Sequence, residues 1–110
     1  MTIDDIDRKS PEWDALWTLF GAYLNQDFDD LYGGPWEAVA SFCQGDPASA
    51  IVDAADEVRR LLDLVEDEEE AEEAVERLGL EYRPPGDGWT YRGWLAELEK
   101  VLRRRHTART

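Results

Sequence analysis

The chain reads as an all-α protein, a single compact domain of about five helices, and three observations predict this. Apolar residues recur at three- and four-residue steps in five separate segments, while no segment alternates long enough to make a useful strand. Each segment is bounded by residues that start or stop helices: Ser10-Pro11, Pro35, Asp46-Pro47, Asp67 and Thr90 at the openings, Gly45 and Gly79 at the closings. The composition is that of a globule, 43% hydrophobic and 11% aromatic despite 35% charge, which is too apolar for disorder. At 110 residues one core is expected, burying roughly two-thirds of the unfolded surface.

Taken in order, residues 1–9 are polar and expected to fray, residues 10–106 form the domain, and 107–110 are a tail. Ser10 caps the first helix with Pro11 at its first position, and Trp13, Leu16, Trp17, Phe20, Tyr23 and Leu24 make its apolar stripe. Asn25-Gln26-Asp27 ends that stripe with short polar side chains that favour turns. Pro35 opens a short second helix with Trp36, Val39, Ala40 and Cys43 inward. Asp46 and Pro47 are a cap pair for the third helix, expected to be the longest, over residues 47–65. Its stripe is Ile51, Ala55, Val58, Leu62 and Val65, widened by Ala54 and Leu61.

Asp67 caps a fourth helix whose apolar positions Ala71, Ala74, Val75 and Leu78 end at Gly79. A loop stiffened by Pro84-Pro85 and turned by Gly86-Asp87-Gly88 follows. Thr90 caps the last helix, with Tyr91, Trp94, Leu95, Leu98, Val101 and Leu102 on one face. Arg103, Arg104 and Arg105 stand at its C-terminus, where the helix dipole favours cations. Trp17, Trp36 and Trp94 fall on three separate stripes and are expected in the core.

The corner between the first two helices is the most distinctive stretch. Residues 16–36 hold six of the twelve aromatic residues, with three aspartates and a Gly-Gly-Pro break. Phe28 and Tyr32 lie in what reads as an acidic loop. Phe28 is expected to fold back onto the core, leaving Asp27, Asp29 and Asp30 facing solvent. Asp27-x-Asp29 invites a calcium-loop reading, but an EF-hand loop needs Asp or Asn, Gly and Glu where Leu31, Tyr32 and Ala38 stand.

Charge and residue inventory exclude several chemistries. The net charge is −14 and unevenly spread: residues 1–90 carry 24 acidic and 6 basic side chains, hence −18, and residues 91–110 carry 2 and 6, hence +4. Such a field repels nucleic acid and anionic membranes and draws basic partners. One cysteine, Cys43, excludes an internal disulfide, and a buried helical thiol is its expected state. The one histidine, His106, lies near the C-terminus, so no Ser-His-Asp or Cys-His set can assemble. Gly33-Gly34 lacks the Gly-Lys-Ser/Thr that closes a phosphate loop. No apolar run approaches the roughly 20 residues of a membrane span, and the acidic start is unlike a secretory signal. The chain is expected to be cytoplasmic, with no cofactor, no metal and no catalytic residues.

The acidic run from Glu66 to Glu76 asks for an explanation. The dipole accounts for Glu68, Glu69 and Glu70 in the first turn of their helix. It does not account for Glu72, Glu73 and Glu76. Pairs such as Glu68/Glu72, Glu69/Glu73 and Glu72/Glu76 repel at i,i+4, each costing about 0.2–0.5 kcal/mol. A helix that keeps these penalties is suited to docking a cationic partner. The expected partner-binding residues are therefore Asp29, Asp30, Glu69, Glu72, Glu73 and Glu76.

Two blocks carry a resemblance. Phe20 to Phe28, reading FGAYLNQDF, with Tyr32-Gly33 and Trp36-Glu37-Ala38-Val39, is similar to the opening signature of the immunity proteins of contact-dependent growth inhibition, the CdiI type. That family usually has a His-Gln-Asp-Trp core, which Asn25 and Phe28 modify here. The second block is Leu78 to Tyr82, then Pro84, Asp87-Gly88, Tyr91-Arg92 and Trp94-Leu95, with Leu80 where the family often has Cys. The resemblance runs from about residue 13 to 102. It implies a non-enzymatic protein that binds, in the cytoplasm, the cognate C-terminal toxin domain of a large secreted protein, as a monomer in a 1:1 complex. Many such toxins are nucleases with basic surfaces that an acidic partner can cover. The competing expectation is an acidic regulatory or nucleic-acid-mimic protein that binds a DNA- or RNA-binding partner.

Overall fold

A computed structural model describes Ile6 and residues 10–109, the side chains of Phe28, Asp29 and Arg109 excepted. The predicted first helix is three successive pieces: a 3-10 turn Pro11–Trp13, α1 (Asp14–Thr18) and a π-helical segment Leu19–Tyr23. Then follow α2 (Phe28–Tyr32), α3 (Pro35–Gly45), α4 (Ala48–Leu64), α5 (Glu68–Arg77), a 3-10 turn Pro84–Asp87 and α6 (Tyr91–Arg109). No strand occurs among the described residues.

The centre of the fold is α4 packed along α6, with α1 laid on α4, α5 on α6, and α2 on α3. The α4 stripe is buried as its spacing predicts, from Ile51 to Leu62. Trp94, Leu95, Leu98 and Leu102 of α6 are buried in the same core, as is Tyr91 at its start. Trp94 is the hub, with ring centroids of Tyr82 at 5.4 Å, Trp36 at 6.0 Å and Phe20 at 6.2 Å. An indole buried this way removes roughly 200 Å² from water, worth on the order of 5 kcal/mol. Trp13 is equally enclosed, and the Arg60 guanidinium lies over its ring at 4.9 Å, a cation–π contact.

Several expectations need correction. The corner is not all loop: residues 28–32 form α2, because Asn25 Oδ1 accepts the Asp27 N–H at 3.0 Å and the Asp27 carbonyl then accepts the Leu31 N–H at 3.0 Å. Trp17 and Trp36 are half-buried, in contrast to Trp94. Trp17 lies over Gly79 at the end of α5, and the first helix turns π-helical just after it. Its i→i+5 bond runs from the Leu24 N–H to the Leu19 carbonyl at 3.1 Å; Leu19 is buried and Tyr23 is left at the edge of the core. In α3 the buried face is Ala38, Val39, Phe42 and Cys43 rather than one led by Trp36 and Ala40. Asp46 does not cap α4, which starts at Ala48 with Pro47 in the cap position; Asp46 instead accepts from the Tyr23 hydroxyl at 3.4 Å. The longest helix is α6, at 19 residues against 17 for α4, since it runs through the three arginines to Arg109. Ile6 is buried in the core, and the remaining positions of the segment expected to fray lie outside the described residues.

Candidate partner-binding surface

α5 is held at both ends by its own sequence. Asp67 accepts the Glu70 N–H at 2.8 Å and Glu70 returns the favour to the Glu66 N–H at 2.9 Å, a reciprocal N-terminal clasp. At the other end Gly79 sits at φ +90°. Leu80 N–H reaches the Val75 carbonyl and Gly79 N–H the Glu76 carbonyl, each at 3.0 Å, a Schellman ending. The Trp17 ring lies directly on Gly79: a Cβ there would be 2.6 Å from Cζ3.

Between these ends Ala71, Ala74 and Val75 are buried against the body of the protein. Glu69, Glu73 and Glu76 are exposed and Glu72 is half-buried. Two of the four have cationic neighbours within the chain, Glu73 with Arg77 at 3.1 Å and Glu72 with Arg83 at 3.9 Å. Glu68 has a different task. Its carboxylate accepts the Tyr91 and Arg92 backbone N–H groups, the latter at 3.2 Å. It caps α6 across 23 residues, which its place in the first turn of α5 gave no reason to expect.

Beside this face runs a groove. One cavity of about 520 Å³ lies between Glu68, Glu69 and Glu72 of α5 and Arg83, Pro85 and Gly86 of the following loop, with Tyr91 forming part of its lining. A second, of about 260 Å³, shares Arg83 and Tyr91 and extends past Val75, Glu76 and Leu80. The loop wall is braced by Tyr82, whose hydroxyl donates to Asp87 at 2.7 Å. Burial, and next the Glu72 carboxylate, push the Tyr91 phenol above its ordinary value.

The corner group is less fully assembled. Asp30 is exposed on α2; the Asp29 side chain, like that of Phe28, lies outside the described residues. Tyr32 is stacked on Tyr23 with centroids 5.8 Å apart, and the apolar residue offered to solvent is Leu31, 62% exposed. Sequence reasoning missed Leu31, whose only signal is that it belongs to no apolar stripe. The corner and α5 are linked by one backbone bond, Glu81 N–H to the Leu24 carbonyl at 3.2 Å. Thus the chain leaving α5 meets the chain entering the corner, although α2 itself packs on α3.

Three further titratable side chains are held within the fold. Cys43 is buried. Arg103 bridges Asp56 on α4 at 3.3 Å and Glu99 at 2.8 Å, with the Glu99 bond chiefly holding its guanidinium above the usual range. Glu57 of α4 is 6% exposed and accepts the Leu16 and Ala15 N–H groups at 2.8 and 3.3 Å. Among the described residues no cluster of His, Cys, Asp and Glu side chains is arranged to hold a metal ion, and no helix is long and apolar enough to cross a membrane.

The described residues form a helical domain whose most charged helix carries exposed carboxylates beside a groove, a surface suited to a basic partner. The family model of the CdiI immunity protein matches residues 12–102, and the chain belongs to that family, the immunity proteins of contact-dependent inhibition. No curated protein and no solved structure matches the chain.

Proposed function

We propose that this protein binds the C-terminal toxin domain of a contact-dependent inhibition system in the cytoplasm and blocks it by contact, without turnover. The toxin domain is a nuclease whose basic substrate-binding surface is covered by the acidic face in a 1:1 complex. The observation that carries the reading is the row Glu69, Glu72, Glu73 and Glu76, three of them exposed and Glu72 half-buried, on a helix whose buried side chains are Ala71, Ala74 and Val75. Asp30, exposed on α2, adds charge at the corner beside the exposed Leu31, which supplies an apolar anchor, and Asp29 is assigned with it from the sequence.

The test is co-expression with the cognate toxin domain. The parent restores growth, and the variant with all four glutamates replaced by Gln folds normally yet protects less. The Asp29→Asn, Asp30→Asn variant protects less as well. Full protection by both variants means that recognition sits elsewhere and the acidic surface serves solubility.

A further inference from the structure

Resting on the reading that the acidic face of α5 meets a basic partner, we infer that the groove between α5 and the 83–86 loop is a subsite for a single arginine side chain of that partner, and that Arg83 occupies its mouth as an internal stand-in. Three features carry this. The two cavities share Arg83 and Tyr91, so they are halves of one groove divided at the Arg83 side chain. The rim is anionic, from Glu68, Glu69 and Glu72 in one half to Glu76 in the other. Finally, Tyr91 is 5% exposed, yet its hydroxyl has no hydrogen-bond partner among the described residues. The groups that act electrostatically on it, Glu72, Arg83, Glu76 and Glu68, are those that line the groove. The buried side-chain atoms left without a partner among the described residues are the indole nitrogens of Trp13 and Trp94, so the Tyr91 hydroxyl opens to water in the cleft, where an incoming donor can replace that water.

The chemistry selects a guanidinium. Its planar fork matches a carboxylate and lies flat against an aromatic ring or a proline, whereas an ammonium is a compact, strongly hydrated point charge. Pro85 and Gly86 provide a wall without a charged side chain. Arg83 shows that a guanidinium reaches Glu72, and its hold is loose: 3.9 Å, beyond hydrogen-bond range, with a side chain 75% exposed. An exposed pair of that kind yields readily to a better-placed cation. The incoming arginine would take the Glu72 carboxylate and the Tyr91 hydroxyl oxygen, and Arg83 would swing to solvent.

The probe is a hexa-arginine peptide added to the full-length protein, followed by amide and aromatic NMR shifts, with hexa-lysine as the charge-matched comparison. Resonances of Tyr91, Gly86 and Leu80 should move first and saturate together. Glu72→Gln and Tyr91→Phe should raise the saturating concentration, and Arg83→Gln should lower it about two- to fivefold, the span of an exposed pair's contribution. Arg104→Gln makes the same change in net charge near the far end of α6 and should lower it less. Dispersed spectra of each variant confirm folding. Shifts scattered over all acidic residues, equal saturation by hexa-lysine, or equal tightening by Arg83→Gln and Arg104→Gln would each overturn the inference. Because the probe is a peptide, the immunity reading fails separately. Protection without localised shifts sinks the subsite alone, and localised shifts in a protein that does not protect sink that reading instead.

Discussion

The Glu57 carboxylate accepts the backbone N–H of Leu16 at 2.8 Å, so the first turn of α1 is capped by a side chain from α4. Helix N-termini leave four donors unpaired and carry partial positive charge, and Glu57 answers both needs at the joint between two packed helices. Desolvation by burial pushes its carboxyl up to about 7, against the pull of the two N–H bonds and the nearby Arg60, and with a further push from Asp53.

The sign of the pH effect follows. The folded pKa lies above the unfolded value of 4.5, so between these limits the native state holds a proton that the unfolded chain has released. Stability from this group is complete below the lower limit and is lost as pH rises through the upper one. Relief of the overall negative charge acts in the same direction, so the comparison that isolates Glu57 is parent against Glu57→Gln. Urea unfolding across that window should show a shallower loss of stability in the variant. Glu57→Ala, which strands two buried donors, should cost about 1–3 kcal/mol. Equal pH slopes for parent and Glu57→Gln would show that this carboxyl is not the titrating group.

Trp94 and Trp36 separate a core indole from a flanking one. Trp94→Ala removes a fully buried ring with three aromatic neighbours and should cost about 3–5 kcal/mol. Trp36→Ala, at a half-exposed position against Trp89 and Trp94, should cost about 1–2 kcal/mol. Chemical denaturation ranks the two; a reversed order would contradict the packing.

Much of this fold is readable in residue spacing, because burial along a regular helix imposes a strict period. The stripes of α4, α5 and α6 are cases of this, as are the caps Asp67 and Thr90, the latter accepting the Gly93 N–H at 2.8 Å. Spacing misleads where the helix is irregular. The π-helical segment adds a residue to its turn, so Tyr23 is left half-buried although the regular count places it on the stripe. α2 is too short to show a period. Glu57 and Glu68 were illegible for another reason: each acts on a backbone far along the chain. The available hint for Glu57 is that it stands three residues after Ala54 and four before Leu61, at the edge of a buried stripe. In the candidate surface the row on α5 could be read from charge alone. The groove could not, because its second wall is a loop that tertiary structure brings alongside.

Gly79 combines two constraints that a methyl group violates together. Its φ of +90° is unfavourable for any residue with a Cβ, and the Trp17 ring fills the space that Cβ would enter. Gly79→Ala should lose on the order of 2–3 kcal/mol, and Gly79→Ala with Trp17→Ala less than the sum of the two single losses. Additive losses in a double-mutant cycle would show that ring and glycine do not interact.

Association with the toxin domain should depend steeply on salt. Residues 1–90 carry −18, and exposed charges act beyond contact only within the Debye length, which shrinks from roughly 30 Å at 0.01 M to about 8 Å at 0.15 M. The on-rate measured by stopped flow should fall by about tenfold or more over that range, while dissociation changes less. A flat on-rate would show that charge plays no part in the approach.

The length of α6 gives the molecule a polarity. Its 19 residues span about 28 Å at 1.5 Å per residue, close to the 32 Å long dimension of the whole protein. One end is seated on the Glu68 carboxylate at the edge of α5; the other carries Arg103, Arg104 and Arg105. The helix thus holds these three arginines twelve to fourteen residues, about 18–21 Å, from the end seated beside the most acidic helix, like the two poles of a compass needle. In the field of a cationic surface such a body experiences torque as well as attraction. It turns its α5 end forward before touching, and the random encounters that would arrive basic end first are rotated out of the approach.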